Sequence, residues 1–154
     1  MVGVDNYRTD GYYPKVVRAF DALLAEGQVV APVDVFMKLG NLHPKKYDDW
    51  RFGRVACLEQ VIAGNLSKCR KILRLIGFHA HDLSMKPSPT VYNKWGKGRS
   101  ITLRFTKHGD LKVERAYSKC FVWNRRVSYL EWVQGQAELM VVLGAGESAI
   151  EARS

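Results

Sequence analysis

Hydrophobic residues recur with helical spacing along the first part of this chain. Residues 14–26 start with a proline and stop before Gly27, and their apolar positions fall three or four residues apart. Proline suits the first helical turn and glycine suits the end of a helix. Residues 32–39 repeat this pattern, with Gly40 after them. We therefore predict helices over 14–26 and 32–39, followed by a polar connection over 41–51.

The longest helical pattern begins at Val55 and advances in threes and fours to Ile76. Gly64 and Asn65 interrupt this apolar stripe without shifting its phase, so two arrangements remain open. One long helix runs to about His81, or two helices meet with Asn65 as the cap of the second. The unbroken phase favours one helix. Its opposite face carries four cations, Lys68, Arg70, Lys71 and Arg74.

A different pattern follows the prolines of residues 86–89, which end the helical periodicity. Residues 90–95 and 101–106 alternate in polarity and are rich in β-forming residues. Glycines separate them in the sequence Gly96-Lys97-Gly98-Arg99. Two such runs about a glycine turn predict a β-hairpin with basic residues at its tip.

The last third of the chain predicts two more helices. Asp110 is the candidate cap of the first, whose apolar positions would be Val113, Ala116, Tyr117, Cys120 and Phe121. Ser128 and Glu131 have the spacing of a capping box, which opens a helix to about Leu143. The polar tail, residues 144–154, is expected to fray.

Together these elements predict one compact domain over residues 1–143. Its fold class is α+β, mostly helical, with one two-stranded β-hairpin. The order of helices, long helix and glycine-tipped hairpin resembles a winged helix over residues 32–106. That resemblance rests on element order and carries over no residue roles.

The distribution of charged residues along the chain indicates what kind of partner this domain binds. The chain has 154 residues, 24 Lys and Arg against 15 Asp and Glu, a net charge of +9 and a pI near 9.6. Between Lys38 and Arg126 there are 20 basic and 6 acidic residues, so the ends are net acidic. From Ile62 to Lys107 there are ten basic residues and one acidic residue, Asp82. Such segregation favours a polyanionic partner.

We therefore predict a nucleic-acid-binding domain that grips phosphates with the basic helix face and the hairpin. Aromatic residues lie among the cations, and an exposed Trp95 would stack on a base. DNA and RNA, single and double strands, and the oligomeric state stay open. The candidate binding residues are Arg51, Arg54, Lys68, Arg70, Lys71, Arg74, Lys94, Trp95, Lys97, Arg99, Arg104 and Lys107.

Two other functions remain open. The aromatic and arginine clusters suit a protein-interaction module, an adaptor or inhibitor that docks an acidic partner. His108, Asp110 and Glu114 suit a metal-dependent nucleic-acid-processing enzyme. Asp110 is more simply explained as a helix cap, and Glu114 as the ion-pair partner of basic neighbours. We favour no catalytic residue.

Other sites and compartments are predicted from absences in the sequence. No metal-ligand spacing or cofactor motif is present, so we expect no cofactor. The odd set Cys57, Cys69 and Cys120 is expected to be buried thiols. No run of eighteen apolar residues and no secretory signal pattern occurs, which predicts no membrane partner and a cytoplasmic location.

Four short segments resemble a family of uncharacterised bacterial proteins. They are Pro32-Val33-Asp34-Val35-Phe36, Trp50-Arg51-Phe52-Gly53-Arg54, Leu103-Arg104-Phe105 and Glu114-Arg115-Ala116-Tyr117. The resemblance covers residues 32–122. It implies a bacterial origin and carries over no activity and no site residues.

Overall fold

The computed structural model describes residues 3–144, with side chains described as far as Val141. The chain divides into two compact units, residues 1–123 and 124–154, where the sequence predicts one domain over 1–143. The predicted tail, apart from Gly144, lies outside the described residues. The predicted α+β, mostly helical fold class is confirmed.

Within residues 3–144 the fold contains six α-helices and one three-stranded sheet. The helices are α1 (Tyr13–Glu26), α2 (Pro32–Lys38), α3 (Pro44–Arg51), α4 (Leu66–Asp82), α5 (Leu111–Ser118) and α6 (Tyr129–Gly144). The strands are β1 (Val29–Val30), β2 (Lys86–Pro89) and β3 (Lys119–Val122). Short 3₁₀ turns cover Tyr7–Thr9 and Leu58–Gln60.

Helices α1 and α2 confirm the pattern of apolar stripes between proline and glycine. The polar connection predicted over 41–51 is wrong, because most of it forms α3. Pro44 lies in the first turn of α3, where its missing N–H has no helical partner to lose. The backbone N–H of Lys45 donates to Nδ1 of His43 over 3.1 Å, which caps the helix.

The single long helix predicted from Val55 to His81 is also wrong. Helix α4 begins at Leu66, and the Lys68 N–H donates to Oδ1 of the cap residue Asn65 over 2.8 Å. Gly64 has a φ of +107°, a conformation that helical residues do not adopt. The apolar residues before Gly64 therefore pack from a segment that is irregular apart from the 3₁₀ turn Leu58–Gln60. Of the two-helix alternative, the Asn65 cap and the helix after it are confirmed, and the helix before it is wrong.

The sheet is built from segments for which the sequence predicts no strands. Its order is β1-β3-β2, and both pairs are antiparallel. Residues 86–89 follow the helical periodicity of α4 and form β2. Their two prolines are tolerated there because β2 lies at the edge of the sheet. Helix α5 is confirmed, but it stops at Ser118. Cys120 and Phe121, predicted as helical, belong to β3.

The predicted two-stranded hairpin over residues 90–106 is not a pair of strands. The two segments meet at one isolated bridge, Asn93 with Thr102. Two backbone hydrogen bonds of 2.8 Å join them there, from the Lys94 N–H to the Ile101 carbonyl and from the Leu103 N–H to the Tyr92 carbonyl. Trp95 instead donates its N–H to the Arg51 carbonyl over 2.7 Å. The Arg104 carbonyl accepts from Nε1 of Trp50 over 2.7 Å. The winged-helix arrangement, which needs a paired wing here, is not confirmed.

An aromatic core supports this part of the molecule. Trp50 and Tyr117 are fully buried, and the ring of Phe105 stacks on that of Tyr117 at 5.3 Å. The three cysteines are free and buried, as predicted. In the second unit, the Glu131 N–H donates to Oγ of Ser128 over 3.2 Å, which confirms the predicted start of α6. Across residues 3–144, no helix has the length and apolar character needed to cross a bilayer.

Candidate nucleic-acid interface

A groove of about 860 Å³ lies between α4 and the segment formed by α5 and β3. We call it the α4 groove. Apolar residues from both sides form part of its lining, namely Leu73, Ile76, Val113, Ala116 and Phe121. Five cations line it with them: Arg70, Lys71 and Arg74 from α4, and Lys112 and Lys119 from the other side. The groove therefore combines an apolar surface with a strongly positive lining.

Three of the four predicted α4 cations reach this groove. The Asn65 cap fixes where α4 starts, and residues three or four positions apart share one side of a helix. Arg70 and Arg74 have that spacing, with Lys71 beside them. Lys68 is not part of the lining and lies over Tyr12 instead. The predicted basic face of α4 is thus divided: three of its cations line the groove, and Lys68 lies over the Tyr12 ring.

Lys112 and Lys119 are groove residues that the sequence analysis missed. Both are exposed, and within residues 3–144 neither ammonium forms an ion pair. Oδ1 of Asp110 accepts the Lys112 N–H over 2.9 Å, so the cap that starts α5 also places this lysine. Asp110 is the only acidic residue in the described lining. No local signal marks these lysines, because α4 lies some forty residues earlier in the chain.

Arg70 has a structural partner beneath the groove. Its guanidinium pairs with the carboxylate of Glu59, which is 1% exposed. The Tyr117 hydroxyl donates to the same carboxylate over 3.0 Å, and the Lys107 N–H donates over 3.3 Å. Burial raises the pKa of Tyr117, which keeps this phenol a neutral donor. Arg70 therefore neutralises a buried charge as well as lining the groove.

A second group of cations surrounds Tyr12, next to the α4 groove. The ammonium groups of Lys15, Lys68 and Lys71 lie 4.6, 4.8 and 5.1 Å from the centre of the Tyr12 ring. Lys71 also pairs with Asp10 over 3.3 Å. We call Tyr12 and these three lysines the Tyr12 cluster. Lys71 belongs to both the cluster and the groove.

The predicted binding residue Arg51 is instead enclosed by aromatic rings. Its guanidinium lies 4.4 Å from the Trp95 ring, 5.1 Å from Tyr92 and 5.9 Å from Tyr47. It donates to the Tyr47 hydroxyl over 3.0 Å and to the Asn93 carbonyl over 3.1 Å. We call this arrangement the aromatic box. Arg51 holds α3 to the residue 90–95 segment, and it contacts the Trp95 ring that the sequence assigns to base stacking.

Three other predicted residues are also engaged within the protein. Arg54 pairs with Asp49 over 3.0 Å and lies 4.8 Å from the Phe52 ring. Arg104 donates to the carbonyls of Thr106 and Lys107, over 2.9 and 2.5 Å. The side chain of Lys94 packs against Gly53. The contacts of Arg54 and Arg104 engage their charged groups, whereas the contact of Lys94 involves its methylene stem.

The tip of the residue 90–106 loop keeps its predicted exposure. Lys97 and Arg99 are exposed, and neither has an ion-pair partner within the described residues. Gly96 and Gly98 have φ values of +105° and +108°, which lets the chain turn sharply between the two cations. Lys107 is also exposed. These three residues remain candidates for contacts with an anion.

Two of the three candidate catalytic residues, Asp110 and Glu114, have structural roles. Asp110 caps α5 as expected, accepting the N–H groups of Lys112 and Val113. Within residues 3–144, Glu114 forms no ion pair with a basic neighbour. It accepts from the Phe105 N–H over 3.1 Å and from the Thr106 N–H over 2.6 Å, and so fixes the loop before α5. His108 is exposed. Within residues 3–144 no group of three or more His, Cys, Asp or Glu is placed to hold a metal ion.

Comparison with known proteins gives no relative. No family model matches this chain, and neither the curated proteins nor the solved structures include a match. The resemblance over residues 32–122 therefore stays a prediction.

Proposed function

We propose that this protein binds nucleic acid and that the α4 groove is its principal contact with the phosphate backbone. The observation that supports this most directly is the convergence of five cations from two distant parts of the sequence on one groove. Cations that line both sides of a channel neutralise successive phosphates and release condensed counterions, which favours binding. The half-buried apolar lining residues Val113 and Ala116 give a ligand an apolar surface to contact.

Lys97, Arg99 and Lys107 provide the second contact in this proposal. Their exposed ammonium and guanidinium groups lie in or beside the loop that the sequence assigns to phosphate binding. The three free buried thiols support a reducing compartment, the cytoplasm, as the place of action. DNA and RNA both present the backbone that such a surface recognises.

The proposal is tested by removing the two groove lysines that have no ion-pair partner. In the Lys112→Ala, Lys119→Ala double variant, affinity for oligonucleotides should fall alike for all sequences. The slope of log affinity against log salt should become less steep by about 2, roughly 0.9 for each lost phosphate contact. Fluorescence anisotropy over a salt series measures both quantities.

The control removes equal charge elsewhere. Lys45 and Lys46 are exposed on α3, outside the groove lining. Lys45→Ala with Lys46→Ala should leave the salt slope within about 0.5 of wild type, since it removes no phosphate contact. Absence of binding to single-stranded and duplex oligonucleotides at low salt would refute the proposal. An equal loss in both double variants would show that net charge, rather than the groove, governs binding.

A second candidate function has its own observation. The rings of Phe52 and Trp95 are both 39% exposed and meet edge to face at 5.6 Å, with Arg54 over Phe52. Exposed aromatic residues beside arginine are typical of binding hot spots for proteins. If the chain is an interaction module, a partner should remain bound after nuclease treatment. Phe52→Ala with Trp95→Ala should then release that partner.

A further inference from the structure

The Tyr12 cluster concentrates positive charge in a small volume. Each ammonium of Lys15, Lys68 and Lys71 lies within 5.1 Å of one ring centre, so any two are at most about 10 Å apart. Like charges at this separation still repel, because the distance is close to the Debye length of ~8 Å at physiological salt. The attraction of the ring for cations offsets part of this repulsion. The remainder favours an anion at the cluster.

One carboxylate balances the cluster from within the protein. Asp10 uses Oδ1 to accept the Tyr12 N–H over 2.8 Å and Oδ2 to pair with Lys71 over 3.3 Å. Its side chain is 16% exposed, so both oxygens are committed. One negative charge against three positive charges leaves an excess of two. Lys15 is exposed, and Tyr12, Lys68 and Lys71 are half-buried, so an anion can reach the ammonium groups from solvent.

We propose that the Tyr12 cluster, which shares Lys71 with the α4 groove, is a phosphomonoester site distinct from the contacts of the groove with internal phosphates. A phosphomonoester carries a charge of about −1.5 to −2 at pH 7, which matches the excess of two, whereas an internal phosphodiester carries −1. Lys15 and Lys68 supply charge-assisted donors, and the Tyr12 hydroxyl supplies a third donor. Because inorganic phosphate alone tests this site, it stands independently of the proposed nucleic-acid function.

The phenol of Tyr12 reports on the site. A hydrogen bond from Lys68 and the charges of Lys68, Lys15 and Lys71 lower its pKa from the ordinary value of 10. Burial raises the pKa of Tyr7, Tyr13, Tyr92 and Tyr117, so these phenols ionise after Tyr12. A bound dianion opposes the lysines and should move the Tyr12 pKa upward.

The first experiment titrates phenolate absorbance in wild type and Tyr12→Phe, whose difference isolates Tyr12. Phosphate is added at constant ionic strength against sodium chloride. We expect a saturable rise of the Tyr12 pKa in phosphate only. Calorimetry should show phosphate affinity reduced roughly tenfold in Lys15→Gln and in Lys68→Gln, the effect of losing one charge-assisted hydrogen bond. Lys46→Gln, an exposed lysine outside the cluster, is the matched control and should bind as wild type does.

Two results would overturn the site. The Tyr12 pKa would respond identically to phosphate and chloride, or Lys15→Gln and Lys68→Gln would bind phosphate as tightly as wild type. A second experiment then identifies the source of the phosphate. Oligonucleotides with a 5′-phosphate and a 5′-hydroxyl are compared in wild type and in the Lys15→Gln, Lys68→Gln double variant.

Each result of that comparison supports one source. A preference for the 5′-phosphate that disappears in the double variant assigns the site to the end of a nucleic acid. Saturable binding of inorganic phosphate without that preference assigns it to free phosphate or a small phosphate ester. Failure of the proposed nucleic-acid function would give a different result. In that case the Lys112→Ala, Lys119→Ala variant would bind both oligonucleotides as wild type does, whatever the outcome for phosphate at the Tyr12 cluster.

Discussion

The α4 groove and the residue 90–106 loop are both basic in sequence, but they use their charges in different ways. In the loop region the guanidinium groups of Arg51 and Arg104 bond to rings and carbonyls of the protein itself. In the groove, Lys112 of α5 and Lys119 of β3 are exposed and have no ion-pair partners among the described residues. Each region also keeps two exposed cations without an ion-pair partner among the described residues, Lys97 and Arg99 at the loop tip and Lys112 and Lys119 in the groove. The regions therefore differ in what engages their other cations.

This difference follows from the chemistry of the side chains. Arginine has a planar fork of five donors and stacks on rings, so it serves to join irregular segments that lack regular backbone pairing. Lysine has a compact, strongly hydrated ammonium that stays in solvent. Arg70 has two roles, because its side chain lines the groove and its guanidinium pairs with the buried Glu59. Four predictions test how far the two regions differ.

The largest effect is expected at Arg70. Arg70→Met should lower the free energy of unfolding by about 3 kcal/mol, because it leaves the carboxylate of Glu59 buried without its ion-pair partner. The partial exposure of Arg70 places the cost at the low end for a buried pair. Lys112→Met, in the same groove, should change stability by less than about 0.5 kcal/mol. Urea denaturation measures both, and equal losses would contradict the structural role of Arg70.

The aromatic box gives the next effect. Arg51→Met removes the stacking on Trp95 and the hydrogen bonds to Tyr47 and Asn93, and should cost about 2 kcal/mol. Arg99→Met at the exposed loop tip is the comparison and should be close to neutral. Thermal unfolding distinguishes them. A neutral Arg51→Met would mean that Arg51 is available to a ligand after all.

Stability should also depend on pH through the inner side of α4. Burial lowers the pKa of His79 below its ordinary value of 6.5, and its Nε2 is buried without a hydrogen bond. The unfolded state then binds the proton more readily, so stability is complete above pH 6.5 and declines as pH falls through the folded pKa. The decline is at most about 1.4 kcal/mol per pH unit for one proton.

His79→Gln supplies the control for this pH dependence. The variant should be less stable at pH 7 but should lose the decline that titration of this side chain causes. Groove variants such as Lys119→Ala are the comparison and should keep the wild-type pH profile. A profile unchanged by His79→Gln would assign the acid sensitivity to another group.

The smallest effect is expected at the N-cap residues of α4 and α5, the two helices that line the groove. Asn65→Ala and Asp110→Ala should each cost about 1 kcal/mol, the usual value for an N-cap side chain. Ser67→Ala, in the first turn of α4 but not its cap, is the control and should be nearly neutral. Chemical denaturation at pH 7 is the measurement. A neutral Asn65→Ala would argue that packing alone fixes the start of α4.

Local patterns predicted those parts of the fold that local interactions determine. Helix α1 follows from its apolar stripe between Pro14 and Gly27, and α5 follows from the cap at Asp110. The sheet did not follow, because β1, β2 and β3 come from three distant places and pair only after the helices pack. Lys119 to Val122 has four residues and continues the apolar spacing of α5, so the pattern alone did not separate helix from strand.

The candidate site divides in the same way. The α4 cations were visible as one face of a helix, and three of them line the groove. Lys112 and Lys119 were not distinguishable from other surface lysines, because the sequence does not show that α5 and β3 pack beside α4. The aromatic box was missed for a related reason. The sequence shows a basic residue, Arg51, and an aromatic residue, Trp95, in two separate segments. Only the fold brings the guanidinium of Arg51 onto the ring of Trp95.

The prolines of β2 have a consequence for how this protein behaves at high concentration. The Thr90 N–H donates to the Ser118 carbonyl, so alternate residues of this segment face β3, and Pro87 and Pro89 face outward. The outer edge of β2 therefore offers carbonyls but no N–H groups at these positions. An incoming strand needs both. The prolines thus protect the β2 edge of the sheet against edge-to-edge polymerisation.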